Sequence, residues 1–296
     1  TGTRAAVRGG FTTVCCMPNT IPAIDNVSTV NYVIEKAARE GAARVLCIGA
    51  VTRGRLGNEL SDLRELADAG VVGFSDDGNP VFNPALMRSA LIYTSALKLP
   101  VINHCEETSL AAGGVMNEGE MATRLGLRGV PSAAEDVMVA RDIALAELTG
   151  GWLHLAHVST ANSVDMVRQA KMRGVRVTAE ATPHHLTLTD YWVAGENGRN
   201  NLAFPLTTLS YDTSTKVNPP LRSGEDVSAL VQGVRDGIID VIATDHAPHT
   251  VVDKDTTYDE AAFGISNLET SLGSLLSLVH VGQLDLLTII ECLSSA

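Results

Sequence analysis

Short apolar runs alternate with helical patterns along this chain of 296 residues, and that alternation limits the possible folds more than any other feature. The runs are continuously apolar, as expected of strands that are buried on both faces of a parallel sheet. The seven predicted strands cover residues 12–17, 44–51, 71–75, 100–105, 152–158, 175–181 and 239–244. The predicted helices cover residues 28–40, 59–69, 84–97, 132–148, 161–173, 225–236 and 267–278.

The number of strands favours a (β/α)8 barrel of the TIM type. Residues 1–10 have the pattern of a helix end, so we expect an eighth strand before them and a chain that is cut at both ends. The predicted fold is therefore an α/β barrel that lacks its first strand and is also incomplete at its C-terminus. An open doubly wound sheet is the alternative, but no G-x-G-x-x-G motif follows the first predicted strand. We predict a single domain over residues 1–296, with an insertion at 190–222.

Composition narrows the classes of function. The formal net charge is −12, and lysine and arginine are neither in excess nor clustered, which argues against binding to nucleic acid. No apolar run reaches the roughly 18 residues of a membrane-spanning helix. The five cysteines have no metal-site or disulfide spacing and predict reduced thiols in a cytoplasmic protein. An anionic substrate would need local cations or a metal ion in so acidic a protein.

Residues that commonly bind metals stand at the ends of four predicted strands. In a barrel, the C-terminal ends of the strands meet at one mouth, so separated segments can build one metal site. This arrangement predicts a metal-dependent hydrolase. The candidate ligands are Asp77, His104, His157 and Asp245.

Two of these candidates also have simpler structural explanations, and a third has a neighbour that competes with it. Asp-Asp-Gly is a common turn sequence, and Asp76 competes with Asp77 as the ligand. A lone histidine at a strand end, such as His104, is often only a hydrogen-bonded structural group. His154 and His157 would face opposite sides of a strand, which favours His157, the one nearer the strand end, and leaves His154 structural.

Asp245 is the most specific local signal, because His246 and His249 follow it closely. An aspartate beside a metal ion can both bind the ion and move a proton, so we predict both roles for Asp245. Two asparagines at loop positions, Asn19 and Asn218, could face the mouth, the second within a loop stiffened by two prolines. The sequence assigns no role to the adjacent pair His184 and His185.

Together these motifs resemble the barrel of the bacterial-type dihydroorotases, in the amidohydrolase superfamily, over essentially the whole chain. Related hydantoinases and allantoinases usually have a carboxylated lysine where this chain has a Ser-Asp-Asp-Gly turn. The resemblance rests on M-P-N-T at 17–20, G-F-S-D-D-G at 73–78, His104, H-V-S-T at 157–160, P-H-H-L at 183–186, K-V-N-P-P-L-R at 216–222 and D-H-A-P-H at 245–249.

The resemblance implies two zinc ions and a reaction. Asp77 would bridge the ions, and His104 and His157 would hold the second one. Asp245 would bind the first ion and act as the acid and base. The substrate would contact Asn19, Asn218, His249 and the backbone of Phe263 and Gly264. The reaction would be the reversible interconversion of N-carbamoyl-L-aspartate and (S)-dihydroorotate in de novo pyrimidine biosynthesis, in a homodimer or with an aspartate transcarbamoylase partner.

Two departures from the family pattern keep alternatives open. The His-x-His-x-Arg strand is absent from these residues, so two ligands of the first zinc and the arginine for the substrate carboxylate are missing. Ala262 stands where the family has a proline before Phe-Gly. One alternative is a hydantoinase-like or allantoinase-like hydrolase of cyclic amides. The other is a non-catalytic dihydroorotase-like subunit that supports a transcarbamoylase.

Overall fold

The computed structural model describes residues 1–196 and 209–294. The described strands are β1 (Thr13–Cys16), β2 (Arg44–Ala50), β3 (Gly73–Ser75), β4 (Val101–Asn103), β5 (Met116–Asn117), β6 (Gly129–Val130), β7 (Leu153–Leu155), β8 (Val177–Ala181) and β9 (Val241–Ile242). The described helices are α1 (Gly2–Arg8), α2 (Val27–Glu40), α3 (Leu63–Asp68), α4 (Pro84–Leu97), α5 (Thr108–Ala111), α6 (Glu120–Leu125), α7 (Ala133–Thr149), α8 (Ala161–Met172), α9 (Pro183–Thr187), α10 (Gly224–Arg235), α11 (Val251–Lys254), α12 (Ser271–His280) and α13 (Leu286–Ser294).

Local sequence signals explain where two of the long helices begin. The side chain of Asn83 accepts hydrogen bonds from the first backbone N–H groups of α4, and Pro84 occupies the first turn, where it displaces no helical hydrogen bond. Ser223 and Asp226 form a reciprocal capping box at the start of α10. The predicted starts of these helices lie within one residue of the observed starts.

Internal contacts divide the chain into two compact units, and the first contains residues 1–106, 138–156 and 167–178. Within this unit, β1, β2, β3, β4 and β7 are successive parallel neighbours. Phe74 and Val101 are register partners on β3 and β4, and both are fully buried. Leu153 on β7 is register partner to Val101 and is also fully buried, as the continuously apolar runs predict.

The second unit contains residues 107–137 and 157–166 and the described residues from 179 onwards. The end of β8 pairs in parallel with β9, with Glu180 opposite Val241. The unit also contains a separate parallel pair, β5 and β6. Met116 on β5 packs in a buried cluster with Met121, Val193 and Tyr258.

The order of strands in the main sheet is β1-β2-β3-β4-β7-β8-β9, so it contains the seven predicted strands in sequence order. Part of the predicted insertion at 190–222 lies outside the described residues, and the prediction of a single domain stays a prediction. None of the described helices has the length and apolarity needed to cross a membrane.

Candidate metal and substrate site

Three of the four predicted metal ligands lie together. One potential ligand atom from each of Asp77, His104 and His157 lies within 4.8 Å of the other two. Both histidines are buried. Two imidazoles and a carboxylate are a donor set that fits a zinc ion. Asp245 is not a member of this group of three.

The two aspartates of the Ser-Asp-Asp-Gly turn have different surroundings. Asp76 is buried, and its carboxylate accepts hydrogen bonds from the Thr52 backbone N–H at 3.0 Å and the Thr52 hydroxyl at 2.5 Å. Burial raises the pKa of Asp76. Asp77 is partly exposed, and its backbone N–H donates to the Ser75 hydroxyl at 3.0 Å. Because Asp76 is engaged with Thr52, the geometry supports Asp77 as the ligand.

The backbone at His157 differs from the expected strand. Residues 152–158 were predicted as one strand, but β7 ends at Leu155, so the prediction from alternating strand faces does not apply to His157. His157 has φ 34° and Asp245 has φ 42°, values in the left-handed region that non-glycine residues rarely adopt. Such strain persists only where the surroundings hold it, and it is frequent at functional sites. Five of the described non-glycine residues have a positive φ, and these two are the ones among them that were predicted as metal ligands.

A buried carboxylate holds the turn that follows His157. Glu135 accepts hydrogen bonds from the backbone N–H of Ser159 at 2.9 Å and of Thr160 at 3.2 Å. The Ser159 hydroxyl also donates to Glu135 and accepts from Nε of Arg222 at 3.0 Å. Both Glu135 and Arg222 are buried. These charged groups explain how the turn keeps its conformation.

Arg222 extends this network beyond the turn. Its Nη1 donates to Oδ1 of Asn117 at 3.0 Å and to the carbonyl of Val130 at 2.9 Å, which ties β5 and β6 to the loop before α10. In the sequence, Arg222 stands out only as the last residue of the K-V-N-P-P-L-R motif. An arginine at the end of an apolar, proline-rich loop does not indicate that its side chain is buried or which distant residues it contacts.

His185 has a structural role that the sequence did not assign. Its Nε2 donates to the carbonyl of Pro219 at 2.9 Å, and its Nδ1 lies 2.8 Å from the Thr182 hydroxyl. Burial lowers the pKa of His185 to about 3, so the ring is neutral at pH 7. This neutral ring braces the loop that carries Asn218.

His184 is buried beside it and has one nitrogen without a hydrogen-bond partner among the described residues. Nδ1 lies 2.9 Å from Nδ2 of Asn267, which also donates to the carbonyl of Thr244 at 2.8 Å. Nε2 is the nitrogen without a partner. Burial lowers the pKa of His184 well below 6.5.

Two other histidines also have structural contacts. Nδ1 of His154 lies 2.8 Å from the Thr178 hydroxyl, and the side chain is half-buried. Nδ1 of His246 accepts the backbone N–H groups of Asn267 at 2.9 Å and Leu268 at 3.1 Å. Because its Nδ1 lone pair is engaged, His246 is a weaker candidate than Asp245 for proton transfer.

The predicted substrate-binding residues differ in exposure. Asn19 and His249 are exposed, and Asn218 is half-buried. Gly264 is buried with φ +138°, and a Cβ at this position would lie 2.4 Å from the carbonyl oxygen of Ala247 and 3.0 Å from Cδ2 of His249. Only glycine fits this close approach, which brings residue 264 against the ring of His249.

Comparison with solved structures shows the class of fold. The chain superimposes on L-hydantoinase (dihydropyrimidinase) from Arthrobacter aurescens with a TM-score of 0.82 at 24% identity, covering 99% of this chain and 64% of the other. Dihydropyrimidinase from Brevibacillus agri gives a TM-score of 0.78 at 21% identity, with coverages of 99% and 64%. The predicted α/β fold of the TIM-barrel type is confirmed.

Comparison of sequences shows the family. Residues 1–163 match the family model described as Dihydro-orotase-like. A dihydroorotase from Pelotomaculum thermopropionicum is 57% identical over 273 residues, which are 92% of this chain and 60% of that protein. A dihydroorotase from Endomicrobium trichonymphae is 52% identical over 287 residues, 97% of this chain and 64% of that protein. The chain belongs to the dihydroorotase-like family, and it spans less than two thirds of the length of these relatives.

Proposed function

We propose that the protein containing this chain is a zinc-dependent dihydroorotase of de novo pyrimidine biosynthesis. The observation that carries the proposal is the group formed by Asp77, His104 and His157, in which the Ser-Asp-Asp-Gly turn supplies the carboxylate. The hydantoinase-type enzymes usually have a carboxylated lysine instead of this turn. The high identity to proteins named dihydroorotase supports the same substrate.

The proposed metal centre contains two zinc ions. Asp77 would contact both ions, His104 and His157 would hold one, and Asp245 would hold the other. When bound, zinc lowers the pKa of a water molecule and polarises the amide carbonyl of the ring. The 296 residues contain no His-x-His-x-Arg motif.

Asp245 is the proposed proton carrier. In the hydrolytic direction its carboxylate accepts a proton from the attacking water and delivers it to the ring nitrogen that leaves. In the direction of cyclisation the same group moves the proton in reverse. Asp245 has a φ of 42°, and such a strained backbone conformation is frequent at functional sites.

Asn19, Asn218, His249 and the backbone of Phe263 and Gly264 are the proposed substrate contacts. Their amide, imidazole and peptide groups suit a small polar ring with a carboxylate. We further propose a cytoplasmic location. A homodimer and a complex with an aspartate transcarbamoylase are the assemblies that size-exclusion chromatography and co-purification would test.

The decisive experiment is an assay of substrate choice in a protein that includes whatever residues its gene encodes before Thr1 and after Ala296. We expect hydrolysis of dihydroorotate, loss of activity after chelation and recovery with zinc. Turnover of hydantoin or allantoin without dihydroorotate would favour the hydantoinase-like alternative. A zinc-loaded protein with no turnover of these substrates would favour the non-catalytic subunit.

A further inference from the structure

Two lysines without an assigned role lie beside the predicted substrate-binding segments. Lys216 is buried, and Lys254, at the end of α11, is partly buried. Burial is the main reason that the pKa of each ammonium is lowered. Placing two cations close together in a partly dry environment costs free energy, so their contacts need an explanation.

The ammonium of Lys254 bonds to three backbone carbonyls. Its Nζ lies 2.9 Å from the oxygen of Thr213, 3.3 Å from that of Lys216 and 2.7 Å from that of Ala262. A lysine ammonium has three N–H donors, so all of them are used. The Thr213 hydroxyl donates in return to the carbonyl of Lys254 at 2.6 Å.

These carbonyls belong to two different segments of the proposed substrate site. One segment runs from Thr213 to Lys216 and leads directly into Asn218, whereas Ala262 immediately precedes Phe263 and Gly264. The backbone N–H of Gly264 donates to the same Lys216 carbonyl, at 2.9 Å.

The side chain of Lys216 also contacts the segment that contains Phe263. Its Nζ lies 4.5 Å from the centroid of the Phe263 ring, within the range of a cation–π contact, and it donates to the carbonyl of Asp259 at 2.9 Å. The two segments are therefore joined by backbone, ammonium and aromatic contacts, and the ammonium of Lys254 donates to carbonyls of both segments.

We propose that Lys254 is a positioning residue for substrate binding. It holds the segment of Asn218 and the segment of Phe263 and Gly264 in one arrangement before the substrate arrives. Groups that are already in place lose less conformational entropy on binding, and the affinity for the ring is correspondingly higher. The inference rests on the proposed function, because that function assigns the two segments to the substrate.

Lys254→Met tests the inference because it keeps the length of the side chain and removes the ammonium. In full-length enzyme we expect KM for dihydroorotate to rise about tenfold, the effect of losing a charge-assisted hydrogen bond, while kcat changes less than about threefold. Zinc content should be unchanged. A KM within about twofold of wild type, or a loss of zinc, would overturn the proposal.

Lys36→Met is the matched control, because Lys36 is an exposed lysine on α2, and its kinetics should equal those of the wild type. Should Lys254→Met not fold, Thr213→Val decides instead. It removes the return hydrogen bond and leaves the ammonium, so we expect KM to rise about threefold, and an unchanged KM overturns the proposal.

Hydrogen exchange tests the positioning role of Lys254 without depending on which substrate the enzyme uses. The Gly264 amide should exchange at least about tenfold faster in Lys254→Met than in the wild type, since the carbonyl that accepts it is held by the ammonium. Equal exchange rates would overturn the positioning role. An enzyme that fails to hydrolyse dihydroorotate would refute the proposed function, and the exchange rates would still test the role of Lys254.

Discussion

Neighbouring residues of the same type can have unrelated roles, and the Asp76-Asp77 pair illustrates this. The sequence reduced the choice to two residues but could not choose between them, because both lie in one turn after a strand. The partner that separates them, Thr52, is 24 residues before Asp76 and has no sequence signal of its own. Burial and hydrogen bonding, which decide such a choice, depend on residues that are distant in sequence.

Asp77→Ala should therefore affect zinc binding, whereas Asp76→Ala should affect the stability of the fold. We expect Asp77→Ala to lose bound zinc with little change in the free energy of unfolding of the metal-free protein. Asp76→Ala should keep zinc but lower that free energy by about 1–3 kcal/mol, because the Thr52 donors lose their acceptor. Metal analysis by mass spectrometry and urea denaturation check the pair. Loss of zinc from Asp76→Ala alone would reverse the assignment.

Asp245→Asn tests the proton carrier. The amide keeps the shape of the side chain and an oxygen that can bind a metal, but it removes the base. We expect kcat to fall at least about 100-fold, the usual contribution of a general acid–base group. Steady-state kinetics with zinc content measured in parallel checks this. Near-normal kcat with zinc bound would mean that another group carries the proton.

His249→Ala should affect KM rather than kcat. If the exposed imidazole contacts the substrate equally in the ground and transition states, its removal raises KM and leaves kcat nearly unchanged. Initial rates over a range of dihydroorotate concentrations measure the two constants separately. A large fall in kcat at unchanged KM would instead give His249 a role in the chemical step.

At the scale of elements, apolar periodicity predicted the main sheet but missed the segment between β4 and α7. No strand or helix was predicted between residues 105 and 132, but this segment contains α5, β5, α6 and β6. Strands of two residues and helices of four to six residues are too short to show a period. They are held by tertiary contacts, such as those of Met116 and Met121 with Tyr258, which the local sequence does not display.

Glu135 on α7 supports the turn after β7, and the stability of a variant tests this role. Glu135→Ala removes the acceptor of two backbone N–H groups and of the Ser159 hydroxyl in a buried place. We expect the free energy of unfolding to fall by about 3 kcal/mol. Urea denaturation followed by circular dichroism measures the change.

Glu147→Ala is the control on the same helix. Glu147 forms an exposed ion pair with Arg173, with 48% and 46% of the side chains accessible. Such pairs contribute at most about 1 kcal/mol, so this variant should be close to wild type. Equal losses in the two variants would show that Glu135 does not hold the turn.

At the scale of the whole molecule, buried neutral histidines make stability depend on pH. The pKa of His185 is about 3 in the folded protein, against an ordinary value of 6.5. Between these values the unfolded chain binds the extra proton. The contribution of His185 to the free energy of unfolding is therefore complete above pH 6.5. It decreases by about 1.4 kcal/mol per pH unit as the pH falls below this value.

His185→Gln isolates this contribution, because glutamine does not titrate and all other groups stay the same. We expect the wild type to be more stable than the variant at pH 7.5 and the difference to shrink steadily towards pH 5. The free energy of unfolding of both proteins at several pH values provides the measurement. A difference that does not vary with pH would show that His185 keeps an ordinary pKa when folded.

The close contact at Gly264 also limits how this site could be altered by directed evolution. Any side chain at position 264 would displace Ala247 and the ring of His249, so libraries that vary this position should yield mainly inactive proteins. The neighbouring Phe263 is 38% exposed. Variation aimed at larger or more apolar rings would therefore be most productive at position 263, with the glycine left untouched.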